Sequence, residues 1–214
     1  GLPDALWAQV QAHQADPDGV AAAPIAGELI AWCEGRHPND LQALLDALRG
    51  AAAYAISLEV LEEAWSAELP LTLLGRVAED WIGTVLHGLG DRAGAAVVAQ
   101  HLVKGALAHG PAFAGDLGHL CLEWGLYAAA DPLVRFAAKA HPGDTSLRYA
   151  LGIVRKLAGE WPGCRDAFRA VLSQRPDEQG AWWSLGIACT ALSDWAGARE
   201  AWRALGMALP DGEG

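Results

Sequence analysis

The sequence predicts an all-α protein in which pairs of helices stack into an α-solenoid. A Leu-Gly dipeptide and a proline recur about every 34 residues in the second half of the chain, a repeat length typical of stacked helical hairpins. The recurring residues are Leu117-Gly118, Leu151-Gly152 and Leu185-Gly186, then Pro142, Pro176 and Pro210. Elsewhere the apolar residues follow a helical period, and no stretch alternates as a strand would.

Each clear repeat has room for two helices joined by a turn. The three repeats are residues 111–142, 145–176 and 179–210. The turn signals are Ala130-Asp131-Pro132, residues 159–162 and Ser193-Asp194. We expect Asp131 to cap the second helix of the first repeat, with Pro132 at its first position, where a missing N–H costs no hydrogen bond. Asp194 can cap the last helix in the same way.

Residues 1–110 are predicted to be a degenerate version of the same arrangement. Apolar residues at helical spacing and the turn residues between them predict the helices. Their approximate ranges are 2–14, 25–33, 41–48, 57–68, 71–89 and 92–107. The spacing from Gly83 to Gly118 exceeds the repeat period by a single residue, so the period continues here with one insertion. We therefore predict about six helix pairs that form one continuous solenoid.

The clear repeats resemble the tetratricopeptide repeat (TPR) family, whose pattern is W-x2-L-G-x2-Y, then A-x3-F, then P. The last repeat matches at Trp182, Leu185, Gly186, Ala198 and Pro210, with Trp202 in place of the phenylalanine. The middle repeat matches at Leu151, Gly152, Phe168 and Pro176, and the first at Leu117, Gly118, Ala130 and Pro142. Other pattern positions hold Arg148, Arg155, Cys164 and Cys189. The resemblance implies a right-handed superhelix and a role in binding other proteins.

The repeat glycines lie in the middle of predicted helices, where glycine costs about 1 kcal/mol relative to alanine. We expect close approach of the partner helix to offset that cost. The glycines are Gly118, Gly152 and Gly186, and the small residues on the facing helices are Ala130, Cys164 and Ala198. The large residues predicted to be core are Leu151, Trp161, Phe168, Trp182, Trp195 and Trp202.

The charge of the chain argues against nucleic acid as a partner. The net charge is -11, and residues 1–100 hold 14 acidic residues against 4 basic ones. Residues 101–214 hold the remaining 12 acidic and 11 basic residues. A phosphate backbone requires clustered lysine and arginine, which this distribution lacks. The acidic first half fits either a solvated surface or a basic partner, and the solvated surface is the simpler interpretation.

The cysteines and the hydropathy pattern predict a cytoplasmic location. The four cysteines are widely spaced, and three fall at repeat positions that hold small buried residues, as reduced thiols in a core would. No apolar run reaches the roughly 18 residues that a membrane span needs. No basic residue precedes Arg36, so a signal peptide is not visible.

No motif in the sequence predicts catalysis. Phosphate-binding, zinc-protease and serine-hydrolase patterns do not occur. Cys33 and His37 could share a helix face, but two ligands alone do not close a zinc site. We therefore expect a protein that is not an enzyme and that uses no cofactor and no metal.

The resemblance to the TPR family also places a binding groove. In that family the first helix of each pair lines a concave wall, and this implies inner rows built from seven residues. They are His119, Glu123, Tyr149, Ile153, Lys156, Trp183 and Ile187. An aromatic and aliphatic stripe with a few polar groups is typical of a protein-binding surface. We therefore expect the groove to bind an apolar or amphipathic segment of another protein.

Two alternatives to this function remain at the level of sequence. The protein could be a self-assembly module, in which the stripe or the C-terminal repeat face holds a second copy. It could also be a regulatory domain of a larger enzyme. Some TPR proteins bind a C-terminal carboxylate through lysine, arginine and asparagine residues in the inner rows. That mode is not expected here, because the first two inner rows contain none of these residue types. These rows are Gly115, Tyr149 and Trp183, then His119, Ile153 and Ile187.

Overall fold

The structure is a computed structural model that describes residues 3–33, 38–67 and 69–207. Within these ranges it contains twelve α-helices, one π-helical turn and no β-strand. The predicted all-α class is confirmed. The chain divides into two compact units, Gly1–Lys104 and Gly105–Gly214.

The first unit is built around its fourth helix. Its helices are α1 (Asp4–Ala15), α2 (Ala22–Cys33), α3 (Pro38–Gly50), α4 (Tyr54–Ser66), α5 (Leu71–Gly83) and α6 (Arg92–Ala108), with the π-helical turn at Thr84–Gly88. The α4 helix packs against α2, α3 and α5. The core includes four leucines that form the apolar face of α3, which are Leu41, Leu44, Leu45 and Leu48. Helix α6 crosses the boundary between the two units.

A buried carboxylate lies on α5 between two arginines. Asp80 is 6% exposed, and one of its oxygens accepts a hydrogen bond from Arg49. The other oxygen, Oδ2, lies 3.4 Å from Nε of Arg76, but neither atom has a hydrogen-bond partner. Burial raises the pKa of Asp80, and the two arginines offset only part of that rise. The ionised form is therefore destabilised here relative to water.

This raised pKa leads to a pH-dependent stability. The folded chain holds the Asp80 proton more tightly than the unfolded chain, whose pKa is near 3.8. The resulting stability is fully present below pH 3.8 and is lost as the pH rises through the folded pKa. We compare the unfolding free energy of the wild type with that of Asp80→Asn. The difference, wild type minus variant, should fall as the pH rises from 3.8 through the folded pKa of Asp80. Chemical denaturation at several pH values measures it.

Glu79→Gln is the matched control, because Glu79 lies on the same helix and its side chain is 43% exposed, against 6% for Asp80. That variant should not show the same trend. A wild-type advantage over Asp80→Asn that grows as the pH rises through this window would contradict the expectation.

The second unit consists of stacked helix pairs. Its helices are α7 (Pro111–Glu123), α8 (Tyr127–Ala140), α9 (Thr145–Leu157), α10 (Trp161–Leu172), α11 (Gln179–Ala191) and α12 (Trp195–Ala204). Each helix packs against the next one along the chain, and α9 also contacts both α7 and α11. This is the packing of successive helical hairpins. The last residues of the predicted third repeat, 208–210, lie outside the described residues.

The predicted turn at Ala130-Asp131-Pro132 is wrong. Helix α8 already begins at Tyr127, and Pro132 lies inside it. Asp131 does not cap a helix but pairs with Arg135 one turn later, with 2.8 Å between its Oδ1 and the guanidinium Nε. The turn is formed instead at Gly125, whose φ of 70° favours glycine. By contrast, Asp194 caps α12 as expected, accepting a 3.0 Å hydrogen bond from the N–H of Gly197.

The mid-helix glycines do allow close approach, but not of the expected small residues. A Cβ atom on Gly152 would lie 2.8 Å from the ring of Phe168, and one on Gly186 would lie 2.7 Å from the ring of Trp202. At Gly118 the corresponding neighbour is Val134. Each glycine therefore makes room for the large side chain of its partner helix.

Candidate functional site

Three of the predicted groove residues lie on α9 and face α11. The ring of Tyr149 packs edge to face on Phe168, with 5.4 Å between the centroids. Ile153 is partly buried against the core that α10, α11 and α12 share. Lys156 Nζ lies 3.1 Å from the hydroxyl of Ser184 on α11 and donates a hydrogen bond to it. These side chains therefore hold two repeats together as well as lining a surface.

The hydroxyl end of Tyr149 shows how tightly α9 and α11 meet. A Cβ atom on Gly180 of α11 would clash with the Tyr149 hydroxyl oxygen. Burial, with a smaller contribution from Glu178, raises the pKa of Tyr149. The phenol therefore stays neutral at neutral pH, and the side chain is half-buried.

Trp183 and Ile187 lie one turn apart on α11. Trp183 is 47% exposed, and Ile187 is half-buried. The Trp183 ring packs edge to face on Trp202 of α12, with 5.3 Å between the centroids. This pair occupies the same positions in the last repeat as the Tyr149–Phe168 pair does in the preceding one. Phe168 is fully buried beneath α11, whereas the Trp183–Trp202 pair is open to solvent on one side.

The remaining two groove residues lie on α7. His119 is half-buried, and its Nε2 lies 3.4 Å from the carbonyl oxygen of Ser146 at the start of α9. Glu123 is exposed at the last position of α7. The predicted set thus lies on the first helices of all three repeats. The apolar exposed part of it is concentrated at Trp183.

The repeat period aligns three aromatic residues, and the structure places one of them at the start of each second helix of the second unit. Tyr127, Trp161 and Trp195 are the first residues of α8, α10 and α12. Tyr127 is 49% exposed and Trp195 is 55% exposed, so the prediction that Trp195 is mainly core is wrong. The regular spacing of the three aromatics, equal to the repeat period, was visible in the sequence. Their position at a helix start, where one side of the ring meets solvent, was not.

Leu151 is also not a fully buried core residue. It is partly exposed and contacts the cores beneath α8 and α9. With Arg148 and Arg155 it lines a cavity of about 280 Å³ between α8, the following loop, α9 and α10. The two arginines occupy the positions where the last repeat has Trp182 and Cys189.

The described residues assemble no metal site, and burial suppresses ionisation of the Cys121 and Cys164 thiols. No group of three or more His, Cys, Asp or Glu side chains among the described residues could hold a metal ion. Burial raises the pKa of the Cys121 thiol to about 12 and that of Cys164 to about 11. Both thiols therefore remain protonated at neutral pH and are poor nucleophiles. His37, the second half of the Cys33–His37 pair, lies outside the described residues.

Comparison with known proteins gives relatives by structure alone. No protein-family model matches the chain, and no curated protein matches it. A structure of MamA MSR-1 aligns with a TM-score of 0.54 and 20% identity, over 79% of this chain and 94% of that chain. MamA from Desulfovibrio magneticus RS-1, from residue 41 to its end, aligns with a TM-score of 0.54 and 19% identity over the same shares. MamA AMB-1 aligns with a TM-score of 0.52 and 18% identity, over 79% of this chain and 90% of that chain.

These likenesses define the class of fold. The chain has a TPR-like helical-repeat fold, and the predicted solenoid class is confirmed. Identities of 20% or less show the fold alone. Within the described part of the chain, no helix is long and apolar enough to cross a membrane.

Proposed function

We propose that this protein is a non-catalytic scaffold that binds an apolar or amphipathic segment of another protein. The observation that supports this most directly is the half-exposed Trp183 ring, held edge to face on Trp202. Because the Trp183 side chain is 47% exposed, part of its ring is available to contact a ligand. Its contact with Trp202 restricts its motion, so binding costs little additional side-chain entropy.

The surroundings of Trp183 suit an amphipathic ligand. Ile187 extends the apolar surface by one helical turn, and Thr190 adds an exposed polar group one turn further on. On the neighbouring helix α9, Tyr149 and Ile153 are half-buried and supply further apolar surface. Apolar anchors with polar groups at the edge are the usual composition of a protein-binding site.

We expect Trp183→Ala to weaken ligand binding about 30-fold or more, because buried aromatic anchors contribute about 2 kcal/mol or more each. The ligands are obtained by selecting peptides from a random library displayed on phage against the immobilised wild-type protein. The affinities of the selected peptides for wild type and variant are then measured by calorimetry. Peptides with apolar residues at helical spacing are expected to be enriched.

Trp195→Ala is the matched control for this experiment. It removes an exposed tryptophan from the same unit, at the start of α12, but outside the proposed site. It should leave the affinity of the selected peptides unchanged. If both variants bind the selected peptides as tightly as the wild type does, the site is not at Trp183.

A second candidate function is self-association through the same surface. It is favoured by the comparison of equivalent rings, because α11 covers Phe168 completely while Trp202 is only partly buried. A helix pair from a second copy could cover Trp183 and Trp202 in the way that α11 covers Tyr149 and Phe168. Sedimentation of wild type and Trp183→Ala over a range of concentrations tests this. Self-association is supported if the measured mass rises with concentration for the wild type but not for the variant. It is excluded if both proteins are monomeric at every concentration.

A cytoplasmic location remains a prediction. Cys121, Cys164 and Cys189 are buried thiols that form no disulfide, as is usual in a reducing compartment. Cell fractionation with an antibody against the native protein would test this prediction.

A further inference from the structure

A second surface of the C-terminal unit has the geometry of a binding pocket. The cavity of about 280 Å³ lies between α8 and α10, with α9 as its floor. Arg148, Leu151 and Arg155 lie on the same face of α9 at successive turns and line this floor. Its walls include Ala138 of α8 and Ala167 of α10. None of the seven groove residues lines it.

The two arginines replace packing residues of the last repeat without losing their contacts. Trp182 donates a 2.7 Å hydrogen bond to the carbonyl of Pro176. Arg148, at the equivalent position of the middle repeat, donates one to the carbonyl of Pro142, the proline equivalent to Pro176. The backbone role of the tryptophan is thus retained, while its indole ring is replaced by a charged guanidinium group.

Arg155 likewise keeps the contact made by its equivalent in the last repeat, Cys189. A Cβ atom on Gly197 would meet the sulfur of Cys189, and a Cβ atom on Gly163 would meet the side chain of Arg155. Arg155 also donates a 3.1 Å hydrogen bond to the carbonyl of Gly163. A small buried thiol in one repeat therefore corresponds to a second guanidinium group in the other.

Among the described residues, neither Arg148 nor Arg155 is paired with a carboxylate. Each guanidinium has five N–H donors, and the only bonds found for them go to backbone carbonyls. The carboxylates at the pocket are already engaged. Asp144 caps α9 by accepting from Ser146 and Leu147, and Asp166 pairs with Arg165 at 3.0 Å.

We propose that this Arg148–Arg155 pocket binds an acidic side chain, glutamate or aspartate, presented by a partner protein. The free guanidinium donors match a carboxylate in charge and geometry. Leu151 and the alanine walls would contact the methylene groups of the bound residue. The volume accommodates one or two side chains, not a whole helix. The pocket uses none of the Trp183 surface, so it stands apart from the proposed function.

The test uses a blocked tetrapeptide, N-acetyl-Leu-Glu-Glu-Leu-amide, and its glutamine analogue. Each is titrated into the full chain at low salt, and the arginine Nε–H signals are followed by NMR. We expect the signals of Arg148 and Arg155 to shift with the glutamate peptide. The glutamine peptide should bind at least about tenfold more weakly, and added salt should weaken the glutamate complex.

The last repeat supplies the matched variants. Arg148→Trp and Arg155→Cys place the residues of that repeat in the middle one, and each should weaken the glutamate peptide at least about tenfold. Arg148→Gln is the second variant if the tryptophan disturbs folding, which circular dichroism and melting would reveal. Arg199→Ala removes an exposed arginine of α12 and should change nothing.

Three outcomes would overturn the proposal. Equal binding of the glutamate and glutamine peptides would show that charge is not recognised. Undiminished binding by folded Arg148 and Arg155 variants would place the peptide elsewhere. Tighter binding of free glutarate than of the peptide would assign the pocket to a small dicarboxylate instead of a protein segment.

Discussion

Replacing Phe168 by alanine should lower the unfolding free energy of the C-terminal unit by about 3–5 kcal/mol. Phe168 is fully buried and is among the largest completely enclosed side chains in the described chain. Its ring contacts Gly152 of its own repeat and Tyr149, and it shares a core with residues of α11. Truncation therefore opens a cavity where two repeats meet. Denaturant unfolding followed by circular dichroism measures the loss.

Phe136→Ala is the matched control, since the substitution is identical and the side chain is 39% exposed on α8 of the same unit. It should cost clearly less, because no closed cavity is left and part of the ring was already in water. Equal losses in the two variants would show that Phe168 does not join the repeats as the structure indicates.

The second large effect is expected from Gly152→Ala. In an exposed helix this substitution stabilises by up to about 1 kcal/mol. Here the new methyl group would lie 2.8 Å from two ring carbons of Phe168, which is buried and cannot move aside freely. We therefore expect a net destabilisation of about 1–3 kcal/mol, the usual cost of overpacking. Denaturant unfolding gives its sign and size.

Two further variants separate overpacking from other effects of the glycine. Gly27→Ala on α2 places its methyl group in open space and should stabilise its own unit. Phe168→Leu removes the ring edge that the methyl group would strike. In a double-mutant cycle, Gly152→Ala should cost less in the Phe168→Leu background than in the wild type. Equal costs in both backgrounds would contradict a steric origin.

The sequence by itself determined the class of fold and much of the core. The repeat period required that Leu117 and Leu185 occupy equivalent positions, and both are buried. Helix capping by Asp194 was also predictable, because it depends on neighbours only a few positions away in the chain. Features that recur with the repeat, or that arise from hydrogen bonds between residues close in the chain, can be predicted from the sequence alone.

Only the tertiary structure decided which repeat positions are covered. Phe168 and Trp202 occupy the same position in two repeats, but the first is enclosed by α11 and the second is partly open. The exposure of Trp183 depends on which helices pack around it, and no local pattern encodes this. The surface proposed for ligand binding is therefore a property of the packed helices and not of the repeat pattern.

The middle repeat shows the same limit for side chains that depart from the pattern. Leu151 follows the repeat and was expected to be core, yet it borders a cavity. Its exposure depends on the flanking Arg148 and Arg155, whose guanidinium groups bond to backbone carbonyls instead of filling the space between α8 and α10. The sequence determined that two arginines stand at packing positions. Whether the two arginines fill the space between α8 and α10 or leave a cavity there depends on contacts with helices distant in the chain. Burial is set by those contacts and not by the local sequence.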